Sequence, residues 1–95
     1  MEDITKNIYR YSSQIAWQQE RSRGFIYISD MITHRQFYLE NVAKDCWLLI
    51  NGVHSLKDVI DQLAIDYNAP YEMIKTDTIQ LINDLVKNHL VERVN

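Results

Sequence analysis

The residue types that most often carry chemistry are few in this chain and lie far apart. The three histidines, His34, His54 and His89, fall in three different connections between predicted elements, whereas a zinc site usually needs at least one close-spaced pair of ligands. Cys46 stands beside Trp47 inside an apolar run, which favours a buried structural thiol, because a catalytic thiol needs an exposed and electropositive setting. We therefore expect no metal site and no cysteine nucleophile.

Aspartates are the other candidates for acid–base chemistry. They lie on the outer sides of two predicted helices and are Asp58, Asp61, Asp66, Asp77 and Asp84. Carboxylates act as catalytic acids and bases where burial brings them together, and a helix exterior is normally a solvated face. The chain has only two glycines and no glycine-rich phosphate loop. We therefore expect no enzyme activity and no cofactor.

The composition indicates one small globular domain. With 95 residues, 46% of them hydrophobic, we expect a single domain over residues 1–95. Ten Lys and Arg against thirteen Asp and Glu leave a net charge of −3, which disfavours a nucleic-acid partner, since such proteins usually present a basic field. The single cysteine, the lack of a bilayer-length apolar run and the lack of a visible secretory signal predict a cytoplasmic protein with no membrane partner.

The first half of the chain predicts an antiparallel sheet. Its three strands cover residues 15–18, 25–28 and 36–39, with polar breaks at 20–24 and 30–34. In the third strand, Phe37 and Leu39 point to one face and Gln36 and Tyr38 to the other. Three strands are too few to stand alone in water, so their apolar face needs a helical cover.

The second half supplies that cover. An apolar run over 42–50 predicts a buried helix that ends at Asn51, with Gly52 in the left-handed C′ position. Ser55 and Asp58 form an approximate capping box that starts the second helix. The apolar stripe of this helix is Leu56, Val59, Ile60, Leu63, Ala64 and Tyr67.

A third helix is predicted over 71–88, with Pro70 as its N1 residue. Its inner stripe is Ile74, Thr78, Leu81, Ile82 and Leu85; one flank carries Ile79 and Val86, and the other carries Met73, Asp77, Gln80 and Asp84. Leu90 and Val91 form a short final extended piece. The fold class is therefore α+β, a small winged helix-turn-helix-like domain in which a three-stranded antiparallel sheet precedes three helices.

Two binding functions fit such a shape. A winged-helix transcription regulator places its recognition helix in the DNA major groove, but the third helix here carries Lys75 and Lys87 against Glu72, Asp77 and Asp84, and this acidic excess would repel phosphates. An extended peptide could instead add to the border of the third strand at residues 35–39. The alternative to peptide binding is that this strand edge is exposed to solvent and binds no partner.

A spaced set of motifs from Phe25 onward resembles the PqqD-like family, the recognition elements for precursor peptides of ribosomally synthesised natural products. Leu39, Trp47 and Gly52 resemble the family's "LN…W…G" passage, and the segment from Ser55 to Ile60 resembles its "T-x-x-E-I" helix start. Residues 77–85 resemble "D-V-x-x-F-L-x-x-L", and 90–91 resemble the closing "G-L-I/V". The spacing is most similar to the stand-alone leader-binding subunit of lasso-peptide biosynthesis, and the cofactor-pathway PqqD chaperone is similar too.

Two positions depart from the family pattern. Glu40 stands where the family favours Asn, which moves the expected cap of the first helix to Asn41. His89 replaces the usual Gly, so Asn88 is expected to take the left-handed conformation at the end of the third helix.

The resemblance implies a non-catalytic peptide chaperone. It would bind the leader region of a precursor peptide antiparallel to the third strand and present it to a maturation enzyme, either a leader peptidase with a cyclase or a radical SAM enzyme. The peptide-binding residues that it implies are Arg35, Gln36, Phe37, Tyr38 and Leu39 on the strand, and Met73, Asp77, Gln80, Leu81 and Asp84 on the third helix. The helical wheel leaves the flank open, and the other possible wall is Ile79, Ile82 and Val86. The DNA-binding regulator remains the alternative.

Overall fold

The fold combines two small antiparallel sheets with three helices in a computed structural model that describes residues 3–95. In chain order, a 3-10 turn at Ile4–Lys6 is followed by β1 (Tyr9–Tyr11), β2 (Ile15–Glu20), β3 (Phe25–Asp30), β4 (Gln36–Glu40), α1 (Asn41–Leu49), α2 (Leu56–Tyr67), α3 (Tyr71–Lys87) and β5 (Val91–Arg93).

The larger sheet confirms the three predicted strands, in the order β2-β3-β4 and antiparallel throughout. Alternation sets its two faces: Ile26 and Ile28 of β3 are fully buried, whereas Tyr27 between them is only partly buried. Gly24 ends the β2–β3 turn at φ +73°, a conformation that glycine adopts without strain. Within residues 3–95, β4 pairs with β3 on one side and with nothing on the other.

A second, two-stranded sheet was not predicted. β1 pairs antiparallel with β5, so that Tyr11 lies opposite Val91, and Arg10 forms an ion pair with Glu92 at 2.7 Å. The short extended piece predicted at residues 90–91 is the start of this pairing. A strand of three residues has too little alternation of apolar and polar residues to be recognised in the sequence. β1 and β5 are stable only because they pair with each other.

The ends of α1 differ from the predicted ones. Its N-cap is Glu40, which makes no side-chain capping bond, so the expected shift of the cap to Asn41 is wrong. The helix ends at Leu49 with Ile50 as C-cap, and Gly52 therefore lies beyond the C′ position. Gly52 still has φ +78°, because the chain turns there to donate its N–H to the Tyr9 carbonyl at 2.9 Å.

The start of α2 is as predicted, and the start of α3 is shifted by one residue. Ser55 and Asp58 form the capping box, each backbone N–H donating to the other side chain. Pro70 is the N-cap of α3 rather than N1, and its carbonyl accepts the N–H groups of Met73 and Ile74. The buried residues of α3 are Ile74, Thr78, Ile82 and Leu85, with Leu81 partly buried against the core.

The end of α3 contradicts the expectation for Asn88, which has φ −90°. His89 takes the left-handed conformation instead, at φ +61°. Its N–H donates to the Val86 carbonyl, and Leu90 N–H donates to the Leu85 carbonyl at 2.9 Å, the two bonds of a Schellman motif. Leu85 and Leu90 are both buried, which supplies the apolar contact of that motif and holds His89 in a conformation that usually favours Gly.

Stacked aromatic rings join the sheets to α1. The Tyr11 ring lies 4.5 Å from the Trp47 ring, and Trp17 meets both edge-on. Tyr11 also donates its hydroxyl to the Trp47 carbonyl at 2.6 Å. Burial, with a smaller contribution from Cys46, raises the pKa of Tyr11 to about 12. These contacts fix α1 against β1 and β2.

Candidate peptide-binding site

The outer border of β4 is set by a single hydrogen bond at its start. The Asp30 N–H donates to the Arg35 carbonyl at 2.9 Å, so the backbone groups of Arg35 point toward β3. Since alternate residues of an antiparallel strand point their N–H and C=O to opposite sides, Phe37 and Leu39 bond to β3. Gln36 and Tyr38 therefore direct their backbone groups outward, where an added strand could pair with them.

The backbone groups of Arg35 are engaged within the chain, unlike those of Gln36 and Tyr38. Its N–H donates to the Thr33 hydroxyl at 3.3 Å, and its carbonyl is engaged with Asp30. The guanidinium carbon lies 5.2 Å from the centre of the Phe37 ring, a cation–π contact. The two residues therefore lie on the same face of the strand.

The side chains of β4 alternate as the sequence predicted. Phe37 and Leu39 are partly buried against the core, opposite Ile28 and Ile26 of β3. Tyr38 is 59% exposed on the outer face. Its ring contacts those of Tyr27 and Phe25 at about 5.3 and 5.4 Å. An added strand would thus meet apolar side chains on the inner face and an aromatic cluster on the outer face.

The loop before β4 is held by the Asp30 carboxylate. Its Oδ1 accepts the N–H groups of Ile32 at 2.9 Å and Thr33 at 3.1 Å, and Oδ2 accepts the Gln14 amide at 2.9 Å. The bond from Ile32 contributes most to lowering the pKa of Asp30 to about 2, with further bonds from Thr33 and Gln14 acting against the effect of burial. The ionised carboxylate therefore fixes where β4 begins.

The flank of α3 that carries Met73, Asp77, Gln80 and Asp84 is exposed, with Leu81 at its inner margin. Of the other possible wall, Ile82 is fully buried, Ile79 is partly buried and Val86 is exposed. Hydrogen bonds from Thr5 contribute most to lowering the pKa of Asp3, and the charge of Lys75 lowers it further. Lys75 therefore lies on the side of α3 that faces the 3-10 turn. At 100° per residue, Asp77 lies nearly opposite Lys75 on the helix.

α1 connects the strand to this helix. It packs against β4, which it follows directly, and against α3. Phe37, Leu39 and Leu81 all lie at the margin of the same core. β4 and α3 are therefore joined to one core through α1.

Sequence reasoning missed the outer face of the sheet. Phe25 and Tyr27 alternate with Ile26 and Ile28 along β3, and that alternation already indicated an aromatic face turned away from the helices. Glu40 was considered only as a helix cap, although it is the exposed last residue of β4 opposite Phe25.

The other candidate residues lie elsewhere. The three histidines are exposed and belong to different segments. Cys46 is fully buried, as predicted for a structural thiol, and burial raises its pKa to about 12. No cluster of metal-ligating side chains occurs in the part of the chain that the structure describes. No helix in that part is long and apolar enough to cross a bilayer.

One concave site lies away from β4. A cavity of about 390 Å³ is lined by Leu49, His54, Asp58, Val59 and Gln62, between the end of α1 and the outer side of α2. The Asp58 carboxylate already accepts the Ser55 N–H in the capping box, and its Oδ2 lies 3.9 Å from Nδ1 of His54. We assign this cavity no part in binding at the β4 border.

An open strand border and an exposed helix flank on a winged-helix-like α+β fold are the features of this chain that bear on binding. Comparison with known proteins shows the family to which it belongs. The family model for coenzyme PQQ synthesis protein D (PqqD) matches residues 29–91, and the chain belongs to the PqqD family.

Individual relatives agree with the family. A PqqA binding protein of Bradyrhizobium diazoefficiens is 44% identical over 54 residues, which are 56% of this chain and 52% of that protein. One of Gluconobacter oxydans is 32% identical over 57 residues, 60% of this chain and 59% of that protein. The chain thus matches between half and three fifths of the length of these curated relatives.

A solved structure confirms the fold. TbiB1 in complex with the TbiA(beta) leader peptide superposes with a TM-score of 0.79, at 16% sequence identity, over 87% of this chain and 94% of that one. At this level of identity the likeness establishes the winged-helix-like α+β architecture.

Proposed function

We propose that this chain binds the leader segment of a ribosomally synthesised precursor peptide by strand addition to β4, antiparallel to that strand and beside α3. It presents the peptide to a modifying or processing enzyme, catalyses no step itself and acts in the cytoplasm. The names of the relatives and the leader peptide bound by TbiB1 support this proposal. The observation that carries it is the outward-facing backbone of Gln36 and Tyr38.

The energetics agree with a reversible complex. Gln36 and Tyr38 offer four backbone hydrogen bonds, each contributing about 1 kcal/mol net. Two apolar peptide side chains packed on Phe37 and Leu39 would add about 2 kcal/mol each. The total of about 8 kcal/mol corresponds to micromolar affinity before the cost of ordering the peptide. Further side-chain contacts are therefore needed, and the acidic residues Asp77 and Asp84 on α3 would supply them to a leader that carries Lys or Arg.

The polar groups of the proposed site support binding rather than a chemical step. They are the exposed carboxylates of α3, Gln36, Gln80, the Tyr38 hydroxyl and the Arg35 guanidinium. A binding surface of this kind can serve to present the bound peptide to a separate enzyme.

The test is a titration followed by backbone amide NMR. The probes are PqqA, after which the two relatives are named, and the TbiA(beta) leader peptide that TbiB1 binds, with a random-sequence DNA duplex as the matched alternative partner. We expect shifts confined to β4 and the exposed flank of α3, and no chemical change in the peptide. Shifts elsewhere, no shifts, or a response to the duplex along α3 would overturn the proposal.

A further inference from the structure

We infer that the order of side chains along β4 selects a peptide strand with a basic residue toward its N-terminal end, apolar residues at alternate positions and an acidic residue toward its C-terminal end. The inference rests on the proposed strand addition. It goes further by deriving the recognised pattern from the residues that line the border of β4.

The two ends of this border carry opposite charges. Arg35 precedes β4, Glu40 is its last residue, and both are exposed. At about 3.4 Å per residue they are about 17 Å apart along the strand. This exceeds the Debye length of about 10 Å at 0.1 M ionic strength, so each charge acts on a different residue of a bound peptide.

The charges also lie on different faces. Arg35 shares the inner face with Phe37 and Leu39, as its contact with the Phe37 ring shows. Glu40 shares the outer face with Tyr38 and Gln36. A peptide residue opposite Arg35 therefore points inward, whereas one opposite Glu40 points outward.

The outer face is acidic as well as aromatic. Its cross-strand rows, read from the pairing, are Ala16–Ser29–Gln36, Gln18–Tyr27–Tyr38 and Glu20–Phe25–Glu40. These rows contain two carboxylates and no Lys or Arg. A basic residue opposite Glu40 would pair with its carboxylate, and its aliphatic stem would lie beside the exposed Tyr38 ring.

The recognised pattern follows from reading β4 backwards, because the peptide is antiparallel. From its N-terminal end, the peptide meets Glu40, Leu39, Tyr38, Phe37, Gln36 and Arg35 in turn. The complementary residues are basic, apolar, β-branched or aromatic, apolar, polar and acidic. The apolar residues fall opposite Leu39 and Phe37, which are the non-hydrogen-bonded positions of the new pairing, where side chains approach most closely.

The test uses two capped peptides of identical composition, each flanked by Gly-Ser. One carries Lys-Leu-Thr-Val-Ser-Glu, and the other carries the same residues with Lys and Glu exchanged. Both capped peptides have a net charge of zero, so the acidic flank of α3 does not distinguish them by net charge, and a difference between them reports the order of charges along β4. Titration followed by NMR measures both affinities even where binding is weak.

We expect the Lys-first peptide to bind about tenfold more tightly, because the exchange turns two attractive cross-strand pairs into repulsive ones. The preference should collapse in 1 M salt, where screening acts within about 3 Å. In the double variant Arg35→Glu, Glu40→Arg the preference should reverse, a result that loss of stability would not produce.

The outcomes separate the two proposals. Shifts at β4 with equal affinity for both peptides, tighter binding of the Glu-first peptide, or an unreversed preference in the double variant would overturn the inference alone. Failure of both peptides to shift any β4 amide would overturn the strand addition and the inference together.

Discussion

The backbone N–H of Asp30 donates to the carbonyl of Arg35 at 2.9 Å, and this bond determines which residues of β4 face solvent. On the other edge of the sheet, the Met31 N–H donates to the Gln14 carbonyl at 2.8 Å. This bond determines in the same way which backbone groups of β2 face solvent. Gln14 and every second residue after it bond to β3, so the backbone groups of Gln19 point outward, as those of Gln36 do on β4.

Replacing Gln36 with Pro removes an outward-facing N–H while leaving the bonds of β4 to β3 intact. Proline is tolerated in edge strands at such positions. We expect the precursor peptide to bind about fivefold more weakly, the effect of one lost hydrogen bond, as measured by calorimetric titration. Gln36→Ala, which keeps the N–H, should bind normally.

The matched control for this change is Gln19→Pro. It places the same substitution at an outward-facing residue of the other edge strand and should leave peptide affinity unchanged. Equal effects of the two proline substitutions would show that β4 is not the specific border.

The carboxylates of Asp77 and Asp84 are expected to attract a basic leader. Asp77→Ala and Asp84→Ala should each weaken binding about two- to fivefold, as exposed charge pairs usually do, and make it less sensitive to salt. Fluorescence titration of a labelled precursor peptide from 50 to 500 mM salt measures both effects. Asp66→Ala on α2 is the control, and unchanged affinity and salt response at Asp77 and Asp84 would remove this flank from the site.

Asp30 should make the stability of the domain depend on acid pH. Its pKa of about 2 lies below the ordinary value of 3.8 because the ionised carboxylate accepts hydrogen bonds, chiefly from Ile32. The stabilisation is therefore complete above about pH 4 and is lost as pH falls through about 2. Urea unfolding of Asp30→Asn between pH 2 and 5 should show lower stability at pH 5 and a flatter acid limb. A slope identical to that of the parent protein would contradict this role.

The left-handed conformation of His89 is unfavourable for a residue with a side chain. His89→Gly should stabilise the protein by about 1 kcal/mol, measured as a shift in the urea midpoint. Asn88→Gly should destabilise it, because Asn88 has negative φ and its side chain donates to the Asp84 carbonyl at 2.9 Å. The opposite ranking would place the left-handed residue at Asn88, as the sequence alone suggested.

Local signals predicted the main elements, and pairings between distant segments escaped them. The Ser55–Asp58 capping box and the alternation around Phe37 depend on neighbours in sequence, and both were found. The pairing of β1 with β5 depends on residues at opposite ends of the chain and left no local signal. The predicted ends of α1 and α3 were wrong, because the residue at which a helix stops depends on where the following residues enter the core. Gly52 is left-handed as predicted but lies beyond the C′ position, and His89 rather than Asn88 is left-handed at the end of α3.

The candidate site was predictable as a region but not in its details. Residue types indicated an accessible strand border near residues 35–39. The hydrogen bond from Asp30 to Arg35 determines which backbone groups are available there. This bond spans a loop, and the sequence alone does not reveal it. The two flanks of α3, which a helical wheel leaves equivalent, differ in burial, because Ile82 is fully buried whereas Met73 is exposed.

The pairing of β1 with β5 brings the ends of the described chain side by side, with Tyr9 opposite Arg93. A short linker could therefore join them, and the circularised chain could be reopened at the exposed turn over residues 21–24 without interrupting β4, α1 or α3. Such a permuted protein would give engineers a way to attach this domain to an enzyme through the β2–β3 turn.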